Sequence, residues 1–179
     1  MRHGRGLIGG LIGLGLLCLP AEADSIESAG VDTAIALPLL AGGITAYKSD
    51  WTGTLELGAD GLATVGTAYA LKNIVREQRP DKSDFQSFPS DTAALAFAPA
   101  QFLWDRYGWE YGVPAYAAAF FVGYSRVEAK KHHWYDVAAS GVLSFGFSKL
   151  FTTRFMGRRI TYGANVTPDG AYASMSYRF

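Results

Sequence analysis

The sequence is poor in cysteine and in charged residues. Its single cysteine, Cys18, lies in an N-terminal segment with the features of a cleavable leader, so the mature chain can form no internal disulfide. Spaced cysteine and histidine pairs of the structural zinc type are missing as well. Charged residues make up 18% of the 179 residues, and 16 basic residues balance 16 acidic ones. We therefore expect no basic surface and no nucleic-acid partner.

Long apolar runs are also missing. The windows free of charge run from 11 to 15 residues, at 33–47, 61–71, 92–104, 111–125 and 137–148. A helix that spans a membrane needs about 20 mostly apolar residues, whereas windows of about 10–14 suit buried core helices. The windows therefore favour a compact helical bundle, in water or lying on a membrane, over a set of spanning helices.

The N-terminus has the three parts of a secretory signal. MRHGRG is basic, LIGGLIGLGLLCL is apolar, and PAEA supplies a small-residue cleavage site that ends at Ala23. We therefore predict that residues 1–23 are removed and that the protein works in the periplasm or cell envelope. An uncleaved anchor is the alternative, against which the apolar run is short and rich in glycine.

Apolar stretches separated by short polar segments predict a mainly α-helical domain over 24–155, with about five to six helices. The expected helices cover about 32–47, 54–76, 92–106, 113–130 and 134–151. Before them, 24–31 is interpreted as a polar lead-in. Thr52 or Thr54 is a candidate N-cap for the second helix. Pro80 then opens a polar loop.

The tail, 156–179, changes from helical to alternating patterning. Apolar and polar residues alternate on both sides of a turn signal, Thr167-Pro168-Asp169-Gly170. This pattern predicts a two-stranded β-hairpin. Because an isolated hairpin is marginal in water, we expect it to pack on the bundle or to pair with another partner.

The segment SRVEAKKHHWYD, residues 125–136, carries the most reactive side chains. If the chain is helical from His132 onward, the i,i+4 spacing places Asp136 on the same face, where it could fix the tautomer of the imidazole. Arg126 offers a planar guanidinium suited to phosphate oxygens. The alternative is an interfacial patch with one ion pair.

Two further segments complete a pattern of three motifs. Lys72 is followed after six residues by Arg79-Pro80, Pro89-Ser90 comes next, and Ser125-Arg126 leads through five residues to His132 and three more to Asp136. Together they resemble the signature of the type 2 phosphatidic acid phosphatase (PAP2) family, K-x6-R-P, P-S-G-H and S-R-x5-H-x3-D. That family also includes bacterial class A acid phosphatases and vanadium haloperoxidases.

The resemblance implies a role for each matching residue. His132 would be the nucleophile and would form a phosphohistidine that water hydrolyses, and Asp136 would orient it. Phosphate oxygens would be bound by a set of donors, Lys72, Arg79, Ser90 and Arg126. No metal and no cofactor are expected, and the haloperoxidase chemistry is the weaker match because it relies on a histidine that this chain lacks.

The second motif departs from the family pattern. Pro89-Ser90-Asp91-Thr92 stands where the family has Pro-Ser-Gly-His-Thr, and that histidine usually protonates the leaving group. Asp91 acting as the acid is one explanation, although it needs a raised pKa and nearby cations would lower it. A leaving group that needs no acid, such as the phosphate of an anhydride, is the second. A relative with little turnover is the third.

The sequence thus predicts an exported phosphatase that hydrolyses phosphate or pyrophosphate esters. An apolar chain with four tryptophans favours a lipid-linked substrate and association with a membrane, although a phosphorylated small molecule fits the same pocket. The alternative is a catalytically impaired PAP2-like envelope protein that binds phosphate groups or has a structural role.

Overall fold

The computed structural model describes residues 19–155, with side chains from residue 25 onward, and the backbone of 159–167 and 170–178. Its helices are α1 (Leu19–Tyr47), α2 (Trp51–Val75), α3 (Asp91–Tyr107), α4 (Trp109–Glu128) and α5 (Trp134–Phe151). The prediction of a mainly helical domain is confirmed for this part of the chain.

The first helix ends at Tyr47 as expected, but its start and both ends of the second helix differ from the prediction. Residues 24–31 belong to α1, so the interpretation as a polar lead-in is wrong for the backbone. Asp50 rather than a threonine caps α2, because its carboxylate accepts a hydrogen bond from the backbone N–H of Gly53 at 3.0 Å. At the other end α2 stops at Val75, since Arg76 adopts a left-handed conformation with φ 45°.

The start of α5 also differs from the expectation. His133 is the N-cap, in an extended conformation, and its backbone N–H donates to Asp136 in a capping box. His132 therefore precedes the helix instead of beginning it. The helical i,i+4 face expected for His132 and Asp136 does not form, because the capping box makes the helix begin at Trp134, two residues after His132.

Helix α3 lies at the centre and packs against each of the other four helices. Its buried positions are largely alanines, among them Ala93, Ala96 and Ala100, all without exposed surface. Small side chains let the surrounding helices approach closely. Alanines therefore make up much of the core, and Phe97 and Phe102 are its largest buried side chains. This packing places the loops after α2 and α4 side by side.

The buried and exposed faces of α2 and α5 are inverted relative to helices in water. Polar residues face inward, for example Asp60 and Thr64 on α2 and the serine series on α5. Large apolar side chains face outward on four helices; we call them the apolar belt, and they include Leu39, Leu40, Leu55, Leu62, Phe120, Val142 and Phe145. A water-soluble bundle buries the apolar stripe of each helix instead.

One end of the bundle is fastened by a buried arginine. Arg106 donates from Nε and Nη2 to the two oxygens of Asp50, each at 2.5 Å, and from Nη1 to Glu56 and the carbonyl of Thr153 at 2.7 Å. The hydroxyl of Tyr107 donates to Asp50 at 2.7 Å. These bonds join the starts of α2 with the ends of α3 and α5.

Two strands follow the helices, β1 (Arg159–Thr167) and β2 (Gly170–Arg178). Their backbones are antiparallel, with Arg159 opposite Arg178 and Thr167 opposite Gly170. How this hairpin packs against the helices stays a prediction.

Candidate active site

The predicted site residues converge at the end of the bundle opposite Arg106, beyond the apolar belt. Lys72 is in the last turn of α2, and Arg79 lies in the loop that follows. Arg126 is in the last turn of α4, His132 precedes α5, and Asp136 is in its first turn. Helix ends supply the site, so its side chains come from segments far apart in sequence.

The imidazole of His132 is held in one tautomer. Its Nδ1 lies 2.7 Å from the backbone carbonyl of Ser87, and the side chain is 2% exposed. A carbonyl can only accept, so Nδ1 carries the proton and Nε2 keeps a free lone pair. Its own backbone N–H donates to the carbonyl of Arg126 at 3.2 Å, which fixes the loop that carries it.

Asp136 does not make the contact with His132 that the spacing predicted. Its Oδ2 lies 3.7 Å from Nδ1 of His132, too far for a hydrogen bond, because His132 lies outside the helix. Instead Oδ2 accepts from the hydroxyl of Ser87 at 2.5 Å and from the backbone N–H of His133 at 2.7 Å. Asp136 therefore positions Ser87 by accepting a hydrogen bond from its hydroxyl, and the carbonyl of Ser87 positions the ring of His132.

The carboxylate of Asp136 is ionised in spite of complete burial. Burial on its own raises the pKa, but the His132 imidazole nearby, the hydroxyl of Ser87 and the N–H of His133 lower the pKa of Asp136 below its ordinary value. Its second oxygen, Oδ1, is buried with no hydrogen-bond partner among the described residues. The candidate site thus contains a fixed negative charge beside His132.

Each of the three predicted cations is paired with one carboxylate. Lys72 lies 3.0 Å from Asp91, Arg79 lies 2.7 Å from Asp84, and Arg126 lies 2.6 Å from Glu27. In addition, Arg126 has a buried Nε without a hydrogen-bond partner among the described residues. Backbone carbonyls complete the set, because Lys72 donates to Gln86 and Arg79 to Lys131.

Asp91 is placed beside the site but is charged. Partial burial raises its pKa, whereas the ammonium of Lys72, which also hydrogen-bonds to it, and His132 lower it, so that the pKa of Asp91 lies below its ordinary value. A general acid needs the opposite shift. The condition under which Asp91 could act as the acid is not met, and its geometry makes it a partner of Lys72.

Ser90 is buried and caps α3. Its Oγ accepts from the backbone N–H of Ala93 at 3.3 Å, and its own N–H donates to the carbonyl of Asp136 at 3.3 Å. The hydroxyl is therefore used in part to start the helix. Its role as a phosphate donor stays a prediction.

His133 stands on the other side of the same carboxylate as His132. Its Nδ1 lies 3.3 Å from Oδ2 of Asp136 and 3.3 Å from Oγ of Ser87. The ring stacks on Tyr135 with a centroid distance of 4.8 Å, and the Tyr135 hydroxyl donates to Glu77. With Nδ1 engaged by Asp136 and one third of the side chain exposed, Nε2 is the free nitrogen.

One group of side chains could hold a metal ion. Ligand atoms of Glu77, His133 and Asp136 lie within 4.8 Å of one another. A cation bound to Oδ2 of Asp136 would have to displace the hydrogen bonds that this oxygen receives from Ser87 and from the N–H of His133, whereas Oδ1 has no partner among the described residues. That no metal takes part in the chemistry stays a prediction.

Sequence reasoning missed three participants. Ser87 holds both His132 and Asp136, while Glu27 and Asp84 hold the two arginines. Only the position of Ser87 in the loop just before Pro89-Ser90 could have drawn attention to it. Glu27 lies 99 residues from Arg126 and has no signal in the sequence.

Known proteins resemble this chain in sequence and in fold. A sequence model described as the PAP2 superfamily matches residues 55–160. A protein of Helicobacter pylori (strain J99 / ATCC 700824) named lipid A 4'-phosphatase is 31% identical over 144 residues, which cover 74% of this chain and 73% of that protein.

A solved structure shows the same fold. The crystal structure of Aquifex aeolicus LpxE superposes with a TM-score of 0.53 at 17% identity, covering 78% of this chain and 98% of that chain. The family match spans more than half of the sequence and includes all three motifs. The chain therefore belongs to the PAP2 superfamily and is a hydrolase of phosphoric esters.

Proposed function

We propose that this protein is an envelope phosphatase that removes phosphate from a phosphorylated lipid through a phosphohistidine on His132. The observation that carries the proposal is the fixed tautomer of His132, whose Nδ1–H donates to the carbonyl of Ser87 at 2.7 Å. Nε2 is therefore a nucleophile that needs no prior deprotonation. The relative named lipid A 4'-phosphatase supports the choice of a lipid.

The reaction follows in two steps. Nε2 of His132 attacks phosphorus, the bond from phosphorus to the leaving oxygen breaks, and that oxygen takes up a proton. Water then attacks the phosphohistidine, its proton returns to the donor, the N–P bond breaks and phosphate leaves. The three cations stabilise charge on the phosphoryl oxygens in both steps. Their carboxylate partners hold them in place before substrate arrives.

We propose His133 as the proton donor that replaces the missing family histidine. Its Nδ1 lies 3.3 Å from Oδ2 of Asp136, so a ring protonated on both nitrogens would donate from Nδ1 to that carboxylate and keep its Nε2–H free to give a proton. Asp91 is unsuitable because Lys72 keeps it ionised. In this proposal His132 is the nucleophile and His133 is the proton donor, and both lie beside the carboxylate of Asp136.

The inverted burial supports insertion into a membrane. The outward faces of α1, α2, α4 and α5 form the apolar belt, while Asp60, Thr64 and the serines of α5 face inward. Lipid tails cover apolar side chains at no cost, whereas water does not. By length and composition, one described helix, Ser25–Tyr47, could cross a membrane.

Export and the tail are part of the same proposal. Removal of residues 1–23 would place the site at an envelope membrane, where phosphorylated lipids are its substrates. The domain proper covers 24–155, and the hairpin within 156–179 is proposed to rest on the bundle or on a partner.

Replacing the nucleophile tests the mechanism. His132→Ala, purified in detergent, is expected to lose roughly 10⁴-fold or more of phosphate release from p-nitrophenyl phosphate and from a phosphorylated lipid. Wild type quenched in alkaline detergent should carry an acid-labile, alkali-stable phosphoryl group that the variant lacks. Lys149→Ala, far from the site, serves as the control. Unchanged turnover in His132→Ala would show that another residue attacks, and no turnover in wild type would favour a binding or structural role.

Leaving-group dependence tests the donor. His133→Gln is expected to reduce hydrolysis of an alkyl phosphate, a poor leaving group, by roughly 10²-fold, while p-nitrophenyl phosphate is affected far less. Asp91→Asn is the matched comparison and should change both substrates in the same proportion, because it only loosens Lys72. Selective loss in Asp91→Asn, with His133→Gln unaffected, would reverse the assignment.

A further inference from the structure

An apolar groove runs along the bundle from the active site. Helix α2 forms its floor, Pro38 of α1 one wall, and Leu95 and Pro99 of α3 the other. Its volume is about 610 Å³, and it extends along α2 from Thr54 to Tyr69. At the helical rise this is about 22 Å in length. We call it the α2 groove.

Three glycines create the space. Gly58, Gly61 and Gly66 of α2 all line the groove, and a Cβ added at any of them would meet no atom within 4 Å. Glycine inside a helix is less favourable than alanine by about 1 kcal/mol. Close packing explains another glycine of the same helix, Gly53, where a Cβ would lie 2.3 Å from Asp50 and 2.5 Å from Arg106. Packing explains none of the three groove glycines.

The groove is continuous with the phosphate-binding end of the site. Asp91 is its one charged lining residue and lies 3.0 Å from Nζ of Lys72. Lys72 follows Tyr69, the last α2 residue of the lining, by less than one turn. A molecule with its phosphate on the cations therefore has an apolar channel leading away from that phosphate into the belt.

We propose that the α2 groove holds an acyl chain of the lipid whose phosphate is attacked by His132. This deepens the proposed function and rests on it. The occupant follows from the lining, which is elongated, apolar and without charge until Asp91. A hydrocarbon chain needs no hydrogen bonds, so packing contacts with this lining are sufficient to hold it. The groove would thereby make the enzyme selective for chain length.

Filling the groove tests the inference. Gly61→Leu places a side chain in the middle of the space and should not harm the helix, since leucine is the better helix former. We expect kcat/KM for a long-chain phosphatidic acid in mixed micelles to fall about tenfold, the equivalent of one or two lost methylene contacts. The rates on a short-chain phosphatidic acid and on p-nitrophenyl phosphate should not change.

Matched variants separate the groove from general damage. Gly146→Leu on α5 also meets no atom within 4 Å and does not line the groove, so it should behave as wild type. Gly66→Leu, nearer Asp91, should act in the same direction as Gly61→Leu, and Gly61→Ala should have a smaller effect.

The outcomes separate the two proposals. An equal loss of kcat/KM on the long-chain and short-chain substrates in Gly61→Leu overturns the groove assignment. No loss on either substrate overturns it as well, and would mean that bulk membrane lipid occupies the groove. If wild type releases no phosphate from any of the three substrates, the proposed function itself fails. A selective loss that also appears in Gly146→Leu would assign the effect to the membrane surface instead of the groove.

Discussion

Arg106 and Arg126 lie at opposite ends of the bundle and are equally buried, with 4% and 5% of their surface exposed. Arg106 has every nitrogen bonded, to Asp50, Glu56 and Thr153. Arg126 has one carboxylate partner, Glu27, and a buried Nε with none. A fully bonded cation stabilises the fold, whereas one with spare donors can bind a ligand. The same residue type thus has two different tasks.

Arg106→Ala should destabilise the fold at the end of the bundle that contains Arg106. It leaves Asp50 buried without its cation, so the free energy of unfolding should fall by about 3–5 kcal/mol. Denaturant unfolding in detergent measures the loss. Activity per folded molecule should stay at the wild-type level, and a loss of turnover without loss of stability would contradict this division of roles.

Arg126→Ala should reduce activity and leave the fold largely intact. Removing a preorganised donor from the phosphoryl group should lower kcat/KM roughly 10²–10³-fold. Stability should change much less than in Arg106→Ala, because Glu27 is partly exposed and can be solvated. Phosphate release and denaturant unfolding of the same preparations provide the comparison. An unfolded Arg126→Ala would show that the two ends do not differ.

Acid should lower the free energy of unfolding by protonating Asp50, the partner of Arg106. Burial raises the pKa of Asp50, but hydrogen bonds from Arg106 and Tyr107 outweigh it and lower the pKa to about 2. Since the unfolded value is about 3.9, the stabilisation is complete above that pH and is lost as pH falls toward about 2. The total is about 2–3 kcal/mol. Unfolding followed between about pH 6 and pH 2 should show it, and Asp50→Asn should remove this part of the pH dependence.

Spacing in the sequence predicted which residues lie together at the candidate site, because the family motifs lie at or near helix ends. Lys72, Arg79, Arg126 and His132 are all brought to one end of the bundle, as the motifs imply. The contact between His132 and Asp136 was wrong in detail. The helix was expected to begin at His132, whereas the capping box of His133 makes it begin at Trp134.

Other features depend on contacts that no local pattern encodes. Glu27 pairs with Arg126 from a helix that is distant in sequence. The group of Ser87 that contacts His132 is its backbone carbonyl, and the amino-acid sequence does not predict where that carbonyl lies. Short charge-free windows argued against spanning helices. On α2 the structure shows why the window 61–71 is short, because Asp60 and Lys72 bound it and both are buried inside the bundle.

Glu27 connects the beginning of the chain to the chemistry. It lies on α1, one helical turn after Ala23, where the predicted signal would be cut. A cut there would leave a new positively charged amino terminus at Asp24, three residues before the carboxylate that holds Arg126 at 2.6 Å. The guanidinium of Arg126 thus takes its carboxylate partner from the first turns of the predicted mature chain. A trimmed or altered N-terminus would leave its Nη2 without that partner.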